Sequence, residues 1–156
     1  MPKLIKDRAI VEDERWLPID PEAEQLTDGR IGTLEQWQQL TDKQGSAVQL
    51  EPGDGIEALL PHLDEIALVA ISFPVFTDGR GFSYGRELRQ RGYQGELRAV
   101  GTYIRDQLHY LSRCGFNAFQ MEDEQLLEES MASLDDFDVH YQASINQPLP
   151  LFRRRN

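Results

Sequence analysis

Two short stretches hold most of the side chains able to do chemistry in this sequence. The first runs Phe73-Pro74-Val75-Phe76-Thr77-Asp78-Gly79-Arg80-Gly81-Phe82-Ser83-Tyr84-Gly85 and sets one arginine between two glycines. Glycine lets a backbone turn tightly, so that successive N–H groups and a fixed guanidinium face the same space, which is how a small oxyanion is held. Arg80, the loop N–H groups and the helix start at Ser83 and Tyr84 are therefore candidates for binding sulfate, sulfite, phosphate or a carboxylate. The competing account is a structural turn in which Asp78 caps its own loop and pairs with Arg80. The glycines read G-x-G-x-x-x-G, one residue longer than the dinucleotide fingerprint. Pro74 and other loop residues separate them from the strand before, and the next strand ends in Ala99-Val100 with no acid for a ribose. Phe73, Phe76 and Phe82 are read as packing anchors.

The second stretch is Gly101 to Gly115. Ile104, Leu108 and Leu111 share one helical face and belong to the core. Arg105, Asp106 and His109 then lie on the other side, with Arg105 or Asp106 near enough to the preceding strand end to reach the crevice of Arg80. Asp106 and His109 form the weak catalytic candidate, an i,i+3 acid/base pair that competes with a plain surface contact. No nucleophile or third group accompanies them. Apolar neighbours point to a core role for Cys114 rather than a redox one.

The elements that must position these residues alternate. Residues 1–30 read as an irregular or hairpin-like arm. Thr33 and Gln36 form a capping-box pattern that opens a helix to about Asp42, burying Leu34, Trp37 and Leu40, with Gly45 ending it. Then come strand 47–50, helix 55–62, an apolar strand 66–71, helix 83–91, strand 96–100, helix 103–114 closed by Gly115, strand 116–119, a helix from 123 to about 134, and a short strand 139–141. This is an α/β pattern of about four consecutive βα units with a mostly parallel sheet, in one domain over 31–145 followed by a flexible tail, 146–156. An open sheet, doubly wound or a sandwich, is preferred, and half of a (βα) barrel, left open or completed by a homodimer, is the alternative.

Composition limits the function. With 156 residues, 40% hydrophobic and 28% charged, the chain is sized for one globular core. It carries no signal-peptide stretch and no apolar run long enough for a membrane helix, so a cytoplasmic protein is expected. One cysteine excludes an internal disulfide and a self-held iron–sulfur cluster, and the three histidines have no metal-site spacing, so no metal and no intrinsic cofactor is expected. A net charge of −11 argues against nucleic acid. Yet residues 80–113 carry seven arginines against three acids, a local +4 that leaves −15 for the rest. Arginine suits bidentate oxyanion recognition, although the same residues can simply satisfy the protein's own carboxylates.

Phe73-Pro-x-Phe76-Thr-Asp-Gly-Arg-Gly81 with Ser83, Glu96-Leu-Arg-Ala-Val-Gly101, Arg105-Asp106-Gln107 with Leu111, and Arg113-Cys114-Gly115-Phe116 resemble the bacterial family called domain of unknown function nine hundred thirty-four, over about Val48 to Tyr141. Members are typically encoded beside assimilatory nitrite/sulfite reductase and phosphoadenylyl sulfate reductase and are labelled oxidoreductases of sulfite reduction, which implies a pathway and no demonstrated reaction. The resemblance marks Thr77, Asp78, Gly79, Arg80, Gly81, Arg105, Asp106 and Gln107 as site residues. His109-Tyr110 departs from the usual aromatic pair, which weakens His109 as a required catalyst. The resemblance leaves two functions. One is an accessory protein of sulfite/sulfate reduction that binds a small oxyanion or docks onto one of those reductases. The other is an oxidoreductase with a dissociable flavin or NADPH. Whether the protein is an enzyme stays open at this point.

Overall fold

A computed structural model describes residues 3–7, 9–12, 15–73, 80–101 and 105–121. Seven strands form one sheet in the order β2-β1-β7-β6-β5-β4-β3. They are β1 Lys3–Lys6, β2 Ala9–Glu12, β3 Gly32–Thr33, β4 Ser46–Leu50, β5 Ile66–Phe73, β6 Glu96–Gly101 and β7 Ala118–Met121. The last five run parallel, while β1 is antiparallel to both β2 and β7. The helices are α1 Leu34–Gln38, a 3-10 turn Glu57–His62, α2 Arg80–Gln90 and α3 Arg105–Arg113. The expected helix after 123 and strand at 139–141 lie outside the described residues.

The open, mostly parallel sheet expected from the strand–helix rhythm is what forms. Its winding is not the doubly wound one. The order β7-β6-β5-β4-β3 never reverses, and right-handed crossovers that step in one direction put every helix on the same side. The burial pattern agrees. Trp37 of α1, Leu59 of the 3-10 turn, Leu88 of α2, and Leu108 and Leu111 of α3 join Val48, Leu50, Val69, Ile71, Leu97, Ala99 and Phe119 in one core cluster. Residues of opposite parity on the same strands, Ala47 and Leu68, pack instead with Trp16 and Ile31 from the arm and its exit. Half of a barrel has this winding, helices outside and a second face inside.

Local chemistry explains the boundaries. The Thr33 hydroxyl accepts the Gln36 amide hydrogen at 3.2 Å while the Gln36 side-chain carbonyl accepts the Thr33 N–H at 3.0 Å, a complete capping box. The Gln36 side-chain amide also donates to the carbonyls of Asp20 and Ala23, so this helix pins the arm. Pro61 lacks an amide hydrogen, and the segment expected as an α-helix is the shorter 3-10 turn. At the end of α3, Gly115 takes a φ of 106°, and the Phe116 N–H donates to the Leu111 carbonyl, the Schellman closure anticipated for this glycine. The first part of the arm is a hairpin, β1–β2.

Candidate functional site

Parallel pairing brings the C-terminal ends of β5, β6 and β7 to one level, with Phe73 opposite Gly101 and Gly101 opposite Met121. Each of the first two strands leads, through a segment outside the described residues, into a helix whose first described residue is an arginine: Arg80 for α2 and Arg105 for α3. Helices packed on neighbouring strands lie roughly 10 Å apart. Their free N–H groups and positive dipole ends therefore share one edge of the sheet. Of the sequence-derived candidates, Thr77, Asp78 and Gly79 lie outside the described residues. Arg80, Arg105, Asp106, Gln107 and His109 are placed by their backbone alone, all in the two helices. Ser83 is exposed in the first turn of α2.

Helix α2 already includes Arg80, ahead of the expected start at Ser83, so Gly81 is helical rather than part of a loop. Its role is close approach. A Cβ there would run into the Phe73 ring and, at 3.1 Å, a methyl of Ile71. One turn later, a Cβ on Gly85 would strike the Phe116 ring. Two glycines of the G-x-G-x-x-x-G run thus set α2 tightly against β5 and against Phe116 in the turn before β7, the helix-packing purpose that only the third glycine serves in a dinucleotide fingerprint. Gly101 has a φ of 128° and its Cβ would lie 2.6 Å from the Phe73 carbonyl oxygen, so glycine is required where β6 ends beside β5.

Beneath this edge lies an aromatic cluster. Phe73 meets Phe82 at 5.2 Å and Phe116 at 5.8 Å between ring centres, and Phe82 meets Tyr110 at 5.0 Å. Phe73 and Phe82 are anchors, as expected; Phe76 lies outside the described residues. The Tyr84 hydroxyl oxygen accepts the N–H groups of Gly53 and Gly55, each at 3.1 Å, tying α2 to the loop after β4.

The arginine-rich segment separates into different jobs. Arg89 donates to the carbonyls of Gly115, Tyr93 and Gly95, and burial pulls its guanidinium below the ordinary arginine value. Arg86 donates to the Tyr110 hydroxyl at 3.1 Å and reaches the Cys114 sulfur at 3.7 Å, and the bond to that sulfur leads the causes that raise its pKa. Arg91 makes a surface pair with Glu87. Structural duty is thus visible for these three, more to backbone carbonyls than to the carboxylates expected. Cys114 is buried in the core cluster, as its neighbours suggested.

A polar row on the helix-free face is not evident from the sequence. Through the pairing register, Lys6, Ala118, Arg98, Ala70 and Gln49 stand side by side across five strands. The two alanines leave room for the long cationic side chains. Arg98 is 2% exposed and donates Nε to Glu96 Oε2 at 2.8 Å and Nη2 to the same oxygen at 2.6 Å, with Nη1 on Gln120 at 3.2 Å. Lys6 Nζ takes the other oxygen of Glu96 at 2.9 Å. The signal present in the sequence is Arg98 inside an otherwise apolar strand, Leu97-Arg98-Ala99-Val100. A count of local charge groups it with the surface arginines.

Among the described residues, no three His, Cys, Asp or Glu side chains are grouped to hold a metal ion, and no helix is long and apolar enough to cross a membrane. A family model described as a bacterial protein of unknown function (DUF934) matches residues 47–152. Neither a curated protein nor a solved structure matches the chain.

Proposed function

We propose, for a chain that belongs to DUF934, that the edge where β5 and β6 end binds a small sulfur oxyanion and that the protein serves sulfite/sulfate reduction as an accessory to a cofactor-bearing reductase. The observation that carries this reading is that the N-terminal ends of α2 and α3, whose described residues open with Arg80 and Arg105, follow neighbouring strand ends. Two helix N-termini supply unpaired N–H donors and partial positive charge, and arginine supplies a planar fork for an oxyanion. The protein's overall charge of −11 would repel an anion elsewhere on the surface, which makes a local cationic site more selective. In this role Arg80, Arg105, Gln107 and Ser83, together with Thr77, Asp78 and Gly79, would be the ligand-binding residues. The acidic remainder of the surface would meet a basic face of the reductase in a fast, salt-sensitive encounter.

The test is a thermal-shift panel of sulfite, sulfate, phosphate, adenylyl sulfate, NADPH and FAD at matched ionic strength, on the protein and on Arg80→Ala. A ligand present at a hundred times its Kd adds about 2.7 kcal/mol of stability. The reading expects a shift with sulfite or sulfate that Arg80→Ala abolishes. A shift with NADPH or FAD alone would replace it with the oxidoreductase reading, and no shift with any anion would remove the oxyanion site.

A further inference from the structure

On the helix-free face, the arm roofs a cavity of about 140 Å³ beside Gln49 of β4, Arg98 and Val100 of β6 and Gln120 of β7. An apolar cavity of about 150 Å³ holds one benzene molecule, so the space suits a single six-membered ring. Val100 and Gln120 are the next-to-last residues of their strands, which sets the cavity near the C-terminal strand ends, on the inner side of the half barrel. That is the end at which (βα) barrels carry their sites.

Two amides set the chemistry of this space. Gln49 is 9% exposed and donates Nε2 to Glu51 Oε2 at 2.9 Å. A carboxylate only accepts, so this bond fixes the amide's orientation and leaves its Oε1 with no partner among the described residues. Gln120 is the mirror case. A guanidinium only donates, so the bond from Arg98 Nη1 at 3.2 Å fixes Oε1 toward the arginine and leaves the Nε2 hydrogens with no partner among the described residues. One amide therefore offers the cavity an acceptor and the other a donor. Strands β5 and β6 stand between them, at about 4.8 Å per strand, so the two groups occupy opposite ends of the space. The floor between is low, because Ala70 lies opposite Gln49 and Val100 opposite Gln120. Apolar surface comes from half-buried Val100 and Ile19 and from exposed Pro18. Arg98 already bonds Glu96 and Gln120, so this lining calls for a neutral ligand.

We propose that this cavity binds a small neutral planar ring with a hydrogen-bond donor at one end and an acceptor at the other, the donor on Gln49 Oε1 and the acceptor on Gln120 Nε2. The probe is 4-pyridone, whose N–H and C=O stand across one six-membered ring. Equilibrium dialysis of the intact protein against 4-pyridone, read by ultraviolet absorbance, should show saturable uptake of one molecule per chain. N-Methyl-4-pyridone, which lacks the donor, should bind the parent about tenfold more weakly. Gln49→Lys keeps a donor for Glu51 and deletes the acceptor, while Gln120→Glu keeps an acceptor for Arg98 and deletes the donor. Each should unfold cooperatively on heating and weaken 4-pyridone by about tenfold. Absence of saturable uptake at millimolar 4-pyridone would overturn the proposal. So would equal binding of the N-methyl compound, or full affinity in either folded variant. If a variant does not fold, the N-methyl comparison on the parent decides the matter by itself.

Discussion

The two faces of the sheet solve the same covering problem differently. The helix-covered face is apolar from β1 to β4: Ile5, Phe119, Ala99, Leu97, Ile71, Val69, Leu50 and Val48 meet the buried sides of the helices, with glycines allowing close contact. The other face carries Lys6, Arg98, Glu96 and Gln49 and is roofed by a chain segment with little regular structure, from Trp16 to Ile31. One face is held by area removed from water and by fit, and the other by a paired charge network that tolerates no unmatched member. The difference teaches where the fold can be altered without collapse. Apolar fit fails gradually with volume, whereas a buried charge fails at once when its partner goes.

The largest effect should come from splitting that network. Glu96→Ala strands Arg98 in a 2% exposed position and should cost about 3–5 kcal/mol in urea unfolding. Replacing both charges together, Arg98→Met with Glu96→Leu, removes the pair and keeps an apolar filling, so stability should stay within about 1 kcal/mol of the parent or exceed it. Equal losses from the single and the paired replacement would break the contrast between the faces. The next effect belongs to the helix-covered face. Gly85→Ala drives a methyl into the Phe116 ring and should cost about 1–3 kcal/mol through displaced packing, despite the better helix propensity of alanine. A gain in stability would mean that α2 shifts freely on the sheet and that its glycines do not set the spacing.

The legibility of each face in the sequence depends on the range of the forces that build it. The capping box at Thr33 and Gln36, the Gly115 closure and the apolar β5 all depend on residues a few positions apart, and each formed as read. The winding depends on the order of strands distant in sequence, which periodicity does not encode. Strand β3, two residues long, carries too short a pattern to see and is fixed by pairing with β4. For the candidate site, the location at the ends of β5 and β6 was legible because strand ends can be read locally. The purposes of its residues were less so. Gly81 read as a loop and ligand glycine and Gly85 as the last glycine of a near-fingerprint run, whereas each lies against an aromatic ring on another element. Arg98 read as one more basic residue because its neighbours Lys6 and Gln120 arrive from β1 and β7.

Tyr93 sharpens the comparison through pH. It belongs to the apolar cluster, 2% exposed, with its hydroxyl donating to the Glu96 carbonyl at 3.1 Å and the Arg89 guanidinium 5.5 Å from its ring centre. Burial raises its pKa well above the ordinary 10.0, outweighing the opposing pull of Arg89. As pH climbs past about 10, the unfolded phenol loses its proton while the folded one retains it. The unfolded state then binds fewer protons, so this group's contribution is level below pH 10 and falls above it, by about 1.4 kcal/mol per pH unit until the folded phenol also ionises. Tyr93→Phe should cost only about 1 kcal/mol at neutral pH, for one lost hydrogen bond, and should make stability between about pH 10 and 11 visibly flatter than the parent's. An unchanged alkaline slope would mean that the apolar face is open to water at Tyr93, and the division between a dry face and a charged one would fail at the edge where Tyr93 touches Glu96.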